Sequence, residues 1–162
     1  IGKVANFGLT YGLGAIRLAS YAKDDWGVSL TVEQATETRN AYFRAFPALR
    51  SWQYRQGKEQ ITRTLIGRRR VVGDKYTLAL ASPVQGSGAD GLKLALAKLR
   101  EIPGPEGAFP VLTIHDEIVI ETPADKVDEA KTWLEKAMVE GMQECLTKVP
   151  VVVDIKVIEA WE

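Results

Sequence analysis

Apolar side chains recur at Val4, Phe7, Tyr11, Ala15 and Leu18, the spacing of one helical face. Gly8, Gly12 and Gly14 interrupt that face, each weakening a helix by up to about 1 kcal/mol. The pattern therefore predicts a helix to about Thr10, a break at Tyr11-Gly12, and a second short helix. Thr31 followed three positions later by Gln34 has the form of a capping box. It opens a helix through "VEQATETRNAYFRAF" that Pro47 ends, and another is expected from about Ala48 to Gln60. Residues 62–73 read as β-structure with Gly67-Arg68 at a turn. In "LALASPVQGSGADGLKLALAKLRE", Leu92, Ala95, Leu96 and Leu99 mark an amphipathic helix, whereas Pro83, Gly86 and Gly88 give the first half the propensity of a loop. "IPGPEGAFP" reads as a surface connection. "VLTIHDEIVIE" (111–121) alternates as a β-hairpin, after which Thr122-Pro123 supplies an N-cap and an N1 proline. Val127, Ala130, Leu134, Ala137, Met138, Gly141 and Cys145 form the apolar stripe of the helix that follows. "VPVVVDIKVI" closes the pattern as a strand, expected to pair antiparallel with the hairpin. Helices come first and a mixed segment second, so the expected class is α+β.

Composition changes this picture little. The 162 residues are 46% apolar and 26% charged, an ordinary globular balance. No apolar run approaches the roughly 20 residues of a membrane-spanning helix, and no membrane partner is expected. The single cysteine, Cys145, excludes an internal disulfide framework and argues against a cysteine-based zinc site; a reducing cytoplasm fits. Twenty-one basic and 21 acidic residues cancel, so net charge selects no partner. Its distribution is more informative, because "RTLIGRRRVVGDK" (63–75) is strongly basic. A local basic stripe can hold phosphate on a neutral chain, and it can equally be a solvated strand end. The chain opens at Ile1, without methionine and inside a strong pattern, which reads as part of something longer.

Two stretches carry candidate chemistry. The hairpin places the only histidine, His115, beside Asp116 and Glu117, between two apolar segments. A carboxylate held on a stiff turn is a good ligand for a hard cation, and Mg²⁺ commonly takes only one or two carboxylates together with substrate phosphates. The alternative is a polar turn with a structural histidine. In "KVANFGLTYG", steps of four put Lys3, Phe7 and Tyr11 on one helical face. An amine and two rings suit a nucleotide, the lysine meeting phosphates as a point charge and the rings offering flat surfaces to sugar and base. Alternatively, Phe7 and Tyr11 are core residues along which Lys3 snorkels.

"KVANFGLTYG", "TLIGRRRVV", "SPVQGSGADGLKLAL" and "LTIHDEIVIE" occur in the order, and at roughly the separations, found in the C-terminal half of the polymerase domain of family A DNA polymerases, the bacterial DNA polymerase I type. The chain resembles that family over practically its whole length, down to the terminal strand and Trp161. The resemblance implies a fragment of a right-hand polymerase, with helical fingers over 1–61 and a palm with an antiparallel sheet over 62–162. It implies template-directed transfer of deoxynucleotides to a primer 3′-hydroxyl by two Mg²⁺ ions, in DNA replication and repair, with primer–template DNA and deoxynucleoside triphosphates as partners. By the same resemblance Asp116 would be a catalytic metal ligand with Glu117 close by. Lys3 would neutralise the triphosphate, Phe7 would pack by the sugar, and Tyr11 would sit near the nascent pair. A phenylalanine at Phe7 implies poor acceptance of dideoxynucleotides. His115 would approach the primer terminus, Gln85 the minor-groove side of the duplex, and Arg68 the DNA backbone. The glycines of "QGSGADG" would permit close packing or close approach of DNA.

The chain departs from the family pattern in two respects. Ala81 stands where the family usually has an asparagine. The second metal-binding aspartate, and the arginine one turn before Lys3, belong to segments that would precede Ile1. The isolated chain is thus expected to be catalytically incomplete unless the upstream segment is supplied. Two other readings are a non-catalytic nucleic-acid-binding module that keeps the fold, and a metal-dependent hydrolase built on His115, Asp116 and Glu117.

Overall fold

The computed structural model describes residues 2–160; Trp161, the expected end of the family resemblance, lies outside them. The chain forms two compact units, residues 1–63 with 69–84, and residues 64–68 with 85–162. The class is α+β, as expected.

In the first unit α1 (Gly2–Thr10) buries Val4, Ala5, Gly8 and Leu9. It stops because Gly12 turns back at φ 87°, a value that favours glycine. Gly12 N–H then donates to the Leu9 carbonyl (3.2 Å) and Leu13 N–H to that of Gly8 (3.0 Å). A buried side chain completes the stop: Gln53 Nε2 donates to the carbonyls of Leu9 (2.6 Å) and Thr10 (2.8 Å), serving acceptors that a helix end leaves open. Helix α2 (Ala15–Trp26) ends at Gly27 with φ 64°. Helix α3 (Val32–Ala45) opens with the predicted capping box, closed in both directions between Thr31 and Gln34. Helix α4 (Pro47–Gln56) begins at the proline itself and ends four residues before the expected Gln60. The core of these helices is Val4, Leu9, Leu18, Ala22, Ala35 and Phe43. Strands β1 (Ile61–Arg63) and β2 (Arg69–Val71) pair antiparallel, with Thr62 opposite Arg70.

The first correction concerns α5, which runs unbroken from Tyr76 to Glu101 with Pro83 inside it. Propensity made its first half a loop, and packing overrides that preference. Ala79, Leu80 and Ser82 are buried on one side, and Ser87 and Asp90 further along. Gly86 leaves room for the Thr64 methyl, which an added Cβ would approach to 2.8 Å. Gly91 packs under Met142.

In the second unit β3 (Phe109–Ile114) and β4 (Glu117–Glu121) form the predicted hairpin, with an irregularity between Pro110 and Leu112. Thr122 does not cap the next helix. A 3₁₀ turn over Ala124–Lys126 intervenes, closed by Lys126 N–H on the Pro123 carbonyl (2.9 Å). Helix α6 (Val127–Gln143) starts only after it, and Thr122 Oγ1 is buried without a partner. Of the predicted stripe, Ala130, Leu134, Ala137 and Gly141 are buried on α6, Val127 and Met138 are half-buried, and Cys145 is buried just past the helix end. Trp133 joins them, its indole N–H donating to the Ile102 carbonyl (2.8 Å). Ala95, Leu99, Ile118, Trp133, Leu134 and Ala137 form the core.

The last strand is the second correction. Among the described residues the sheet of the hairpin has two strands only, and residues 149–158 form no ladder with it. Val151, Val153 and Ile155 are half-buried and alternate with exposed neighbours, the period-2 rhythm read from the sequence. Val153 and Ile155, however, line a groove with Asp128, Lys131, Thr132 and Glu135 of α6. Alternation reports which side chains turn inward, and says nothing of whether a sheet or a helix lies on that side. No helix among the described residues is long and apolar enough to cross a membrane.

Candidate active site and nucleic-acid interface

Ile114 pairs with Glu117, so His115 and Asp116 are the two central residues of a two-residue hairpin loop. His115 has φ 54° and is the only non-glycine residue with positive φ among those described. A positive φ in a two-residue hairpin loop is the backbone that lets so tight a connection match the twist of the flanking strands. Ile118 beside the tip is buried in the core, whereas His115, Asp116 and Glu117 are all exposed. Both carboxylates are free of ion pairs among the described residues. The chain thus presents two exposed carboxylates, one in the loop and one on the first residue of the strand after it.

The described residues contain no group of three His, Cys, Asp or Glu side chains able to hold a metal. The donor set at the tip nonetheless fits Mg²⁺ in kind, since that ion is satisfied by one or two carboxylates when water and phosphate oxygens complete its shell. Asp116 and Glu117 would supply the protein's share from this chain.

On α1, Lys3 and Phe7 are exposed beside the buried face of Val4, Ala5, Gly8 and Leu9. Phe7, 49% exposed, is therefore not a core residue. Tyr11 is half-buried and lies just past the helix end, in the turn. The Tyr42 hydroxyl donates to Asn6 Oδ1 (2.8 Å) and meets Thr10 Oγ1 (3.0 Å), fixing α1 against α3. A residue not singled out in the sequence lies next to Phe7: the two rings of Phe7 and Trp26 stack with centroids 6.4 Å apart and planes 19° from parallel.

Arg68 and Gln85 are brought together. The turn between β1 and β2 is closed by Thr64 N–H on the Arg68 carbonyl (2.9 Å) and Arg68 N–H on Thr64 Oγ1 (3.1 Å). It docks on α5 where Leu65 N–H donates to Ser87 Oγ (2.9 Å) and Arg68 Nη2 to the Gly86 carbonyl (3.0 Å). Gln85 is the exposed residue next to that carbonyl, and Ala81, one turn earlier, is half-buried. Arg63, Arg69 and Arg70 are exposed on the strands. Asp90, also missed in the sequence, takes Arg68 Nε on Oδ1 at 2.6 Å. One signal was available: an acidic residue four positions after a glycine, inside a stretch otherwise made of small residues.

A family model described as DNA polymerase family A matches residues 1–162. The chain is similar to DNA polymerase I of Aquifex aeolicus (strain VF5), 38% identical over 99% of this chain and 29% of that protein. It is similar to the thermostable DNA polymerase I of Thermus aquaticus, 34% identical over 98% of this chain and 20% of that protein. It is also similar to DNA polymerase theta of Caenorhabditis elegans, 30% identical over 96% of this chain and 10% of that protein. The chain therefore spans less than a third of the length of these relatives. Among solved structures, the POL domain of Pol1 from M. smegmatis, in complex with DNA primer-template and dNTP, superposes with a TM-score of 0.73 at 25% identity, over 86% of this chain and 26% of that one. Because the family model runs from the first residue to the last, and the fold follows a polymerase domain over most of that length, the chain belongs to DNA polymerase family A.

Proposed function

We propose that this chain forms part of the catalytic domain of a DNA-directed DNA polymerase that adds deoxynucleotides to a primer 3′-hydroxyl under the direction of a template. The observation that carries the reading is Asp116, an exposed, unpaired carboxylate on a stiff two-residue turn. Two Mg²⁺ ions would, when bound, activate the primer hydroxyl and stabilise the leaving pyrophosphate. Asp116 is the ligand this chain offers, with Glu117 beside it. Lys3 neutralises triphosphate charge as a point cation, Phe7 gives the sugar a flat apolar surface, and Tyr11 lies by the nascent pair. Arg68 and Gln85 meet the duplex at the docked turn, Arg68 by charge and Gln85 through minor-groove acceptors that do not distinguish sequence strongly. His115 meets the primer end. The complex of the M. smegmatis domain with DNA primer-template and dNTP supports these two ligand classes. Residues 1–61 serve as a fingers segment and 62–162 as a palm segment, and a cytoplasmic site of action in replication and repair belongs to the same reading.

Two carboxylates are few for two divalent ions, so the chain alone is proposed to be inactive until the upstream polymerase segment, with its second aspartate, is supplied. Primer extension with Mg²⁺ tests this. The 162 residues alone should extend nothing, a polypeptide that adds the upstream segment should extend the primer, and Asp116→Ala in it should lower the rate by at least about 10²-fold, the scale of losing one electrostatic stabiliser. Extension that survives Asp116→Ala would sink the assignment. Salt-dependent DNA binding without extension in the completed protein would favour the non-catalytic module instead.

A further inference from the structure

Trp26 is the last residue of α2 and is 39% exposed, while Phe7 on α1 is 49% exposed. Two large rings at the surface normally lose apolar burial, and these two recover part of it from each other by stacking at 6.4 Å and 19°. Trp26 is itself held from beneath. Tyr21 meets it edge-on, with centroids 6.5 Å apart and planes at 75°, and Tyr21 packs on the core of the first unit. The helix end beneath Trp26 is fixed as well. Gly27 N–H donates to the carbonyls of Ala22 and Lys23 at φ 64°, and Val28 N–H to that of Ala22 (2.8 Å). A chain of contacts thus runs from core to Tyr21, to Trp26, to Phe7.

An exposed phenylalanine on a helix has more than one open rotamer. A ring that must receive a nucleotide sugar would pay to settle at the moment of binding, and a ring already settled pays less. We propose that Trp26 is a positioning residue for the incoming nucleotide: by stacking on Phe7 it holds the ring on which the sugar packs, and so sets the affinity for the deoxynucleoside triphosphate. This rests on the reading of Phe7 as part of the nucleotide site. Trp26 need not touch the nucleotide and has no part in the chemical step, so its removal should act on KM rather than on kcat.

The test is a double-mutant cycle in the completed polymerase, read by steady-state insertion of a single nucleotide. Trp26→Ala should raise KM for the triphosphate about two- to tenfold, the worth of one aromatic pair, with kcat little changed. Trp26→Phe should restore most of the loss. In the Phe7→Ala background Trp26→Ala should add nothing, because there is no ring left to hold. Independent, multiplying effects of the two substitutions, or a fall in kcat at constant KM, would overturn the inference while leaving Phe7 in the site. If Phe7→Ala itself leaves KM unchanged, the assignment of Phe7 to the nucleotide site fails and the role of Trp26 falls with it. Should Trp26→Ala melt early, the same cycle is read on Trp26→Leu, which keeps apolar volume at the helix end but lacks the flat face.

Discussion

Arg68 and Asp90 form a lopsided pair: the guanidinium is 48% exposed, and the carboxylate it reaches at 2.6 Å is 3% exposed, with its other oxygen buried and unpartnered. One donor from Arg68 therefore carries most of the compensation for a charge inside the protein. Removing it leaves that charge without a partner, a change that costs about 3–5 kcal/mol for a fully buried pair. The solvent around Arg68 screens part of this, so Arg68→Ala should destabilise the chain by about 2–3 kcal/mol in urea unfolding. Arg68→Lys should recover little, because an ammonium cannot reproduce the planar fork that serves Asp90 and the Gly86 carbonyl together. Equal stability of all three proteins would show that the pair contributes nothing to the fold.

Two glycines of helices α5 and α6 should respond in opposite directions to alanine. A Cβ on Gly141 would run into the backbone of Leu94 and Ala95, where α6 crosses α5, and backbone cannot swing aside as a side chain can. Gly141→Ala should cost about 3 kcal/mol, the upper part of the usual range for overpacking. A Cβ on Gly88 would meet nothing within 4 Å, and the residue is exposed in the middle of a helix. Gly88→Ala should therefore gain about 0.5–1 kcal/mol by narrowing the unfolded ensemble. Denaturation midpoints of the two variants, measured against the parent, check both signs.

The same helix shows what could be read in the sequence and what could not. Local rules were sufficient where the deciding groups are neighbours in the chain. The Thr31–Gln34 capping box, the stop at Gly12, the turn at Gly67 and the hairpin around His115-Asp116 all fall where the residues put them. They failed where distant groups decide. Pro83, Gly86 and Gly88 argue for a loop until the Thr64–Arg68 turn docks on Gly86 and Ser87, and Met142 covers Gly91. Residues 149–158 alternate as a strand, yet a strand needs a ladder and none forms among the described residues; Val153 and Ile155 instead line a groove with α6. The candidate site divides along the same line. The hairpin tip at Asp116 was visible because a polar triplet in an apolar hairpin is a local anomaly. The contacts of Trp26 and Asp90 were not, because their partners, Phe7 and Arg68, lie 19 and 22 positions away.

Stability at alkaline pH should depend on Cys145. Burial pushes its thiol up from an ordinary value near 9, and the negative charges of Asp90 and Glu144 push the same way. The folded chain thus holds a proton that the unfolded chain releases first. This contribution is complete below pH 9 and is lost as pH rises through the folded-state value. Lys98 acts later, because hydrogen bonds to Glu144 and Glu101 raise its ammonium above the ordinary 10.5. Melting temperature should therefore begin to fall just above pH 9 in the parent, and Cys145→Ala should remove that first decline while keeping the one above 10.5. A parent curve that stays flat through both windows would contradict the argument.

His115 sits at φ 54° in the first position of its turn, a backbone that favours glycine. Left-handed backbone costs a residue with a Cβ roughly 1–2 kcal/mol, and glycine returns about 0.5–1 kcal/mol of that as extra unfolded-state entropy. His115→Gly should accordingly leave the fold more stable by about 0.5–1 kcal/mol in urea unfolding. The imidazole is exposed and makes no hydrogen bond or ion pair among the described residues, so no native polar contact opposes the gain. If His115 approaches the primer end as proposed, the same substitution should weaken primer extension by the completed polymerase. A residue kept at a cost to the fold and needed for the reaction is the pattern expected where backbone strain serves a site. A variant that is both less stable and fully active would show that the imidazole belongs to the architecture of the hairpin rather than to its chemistry.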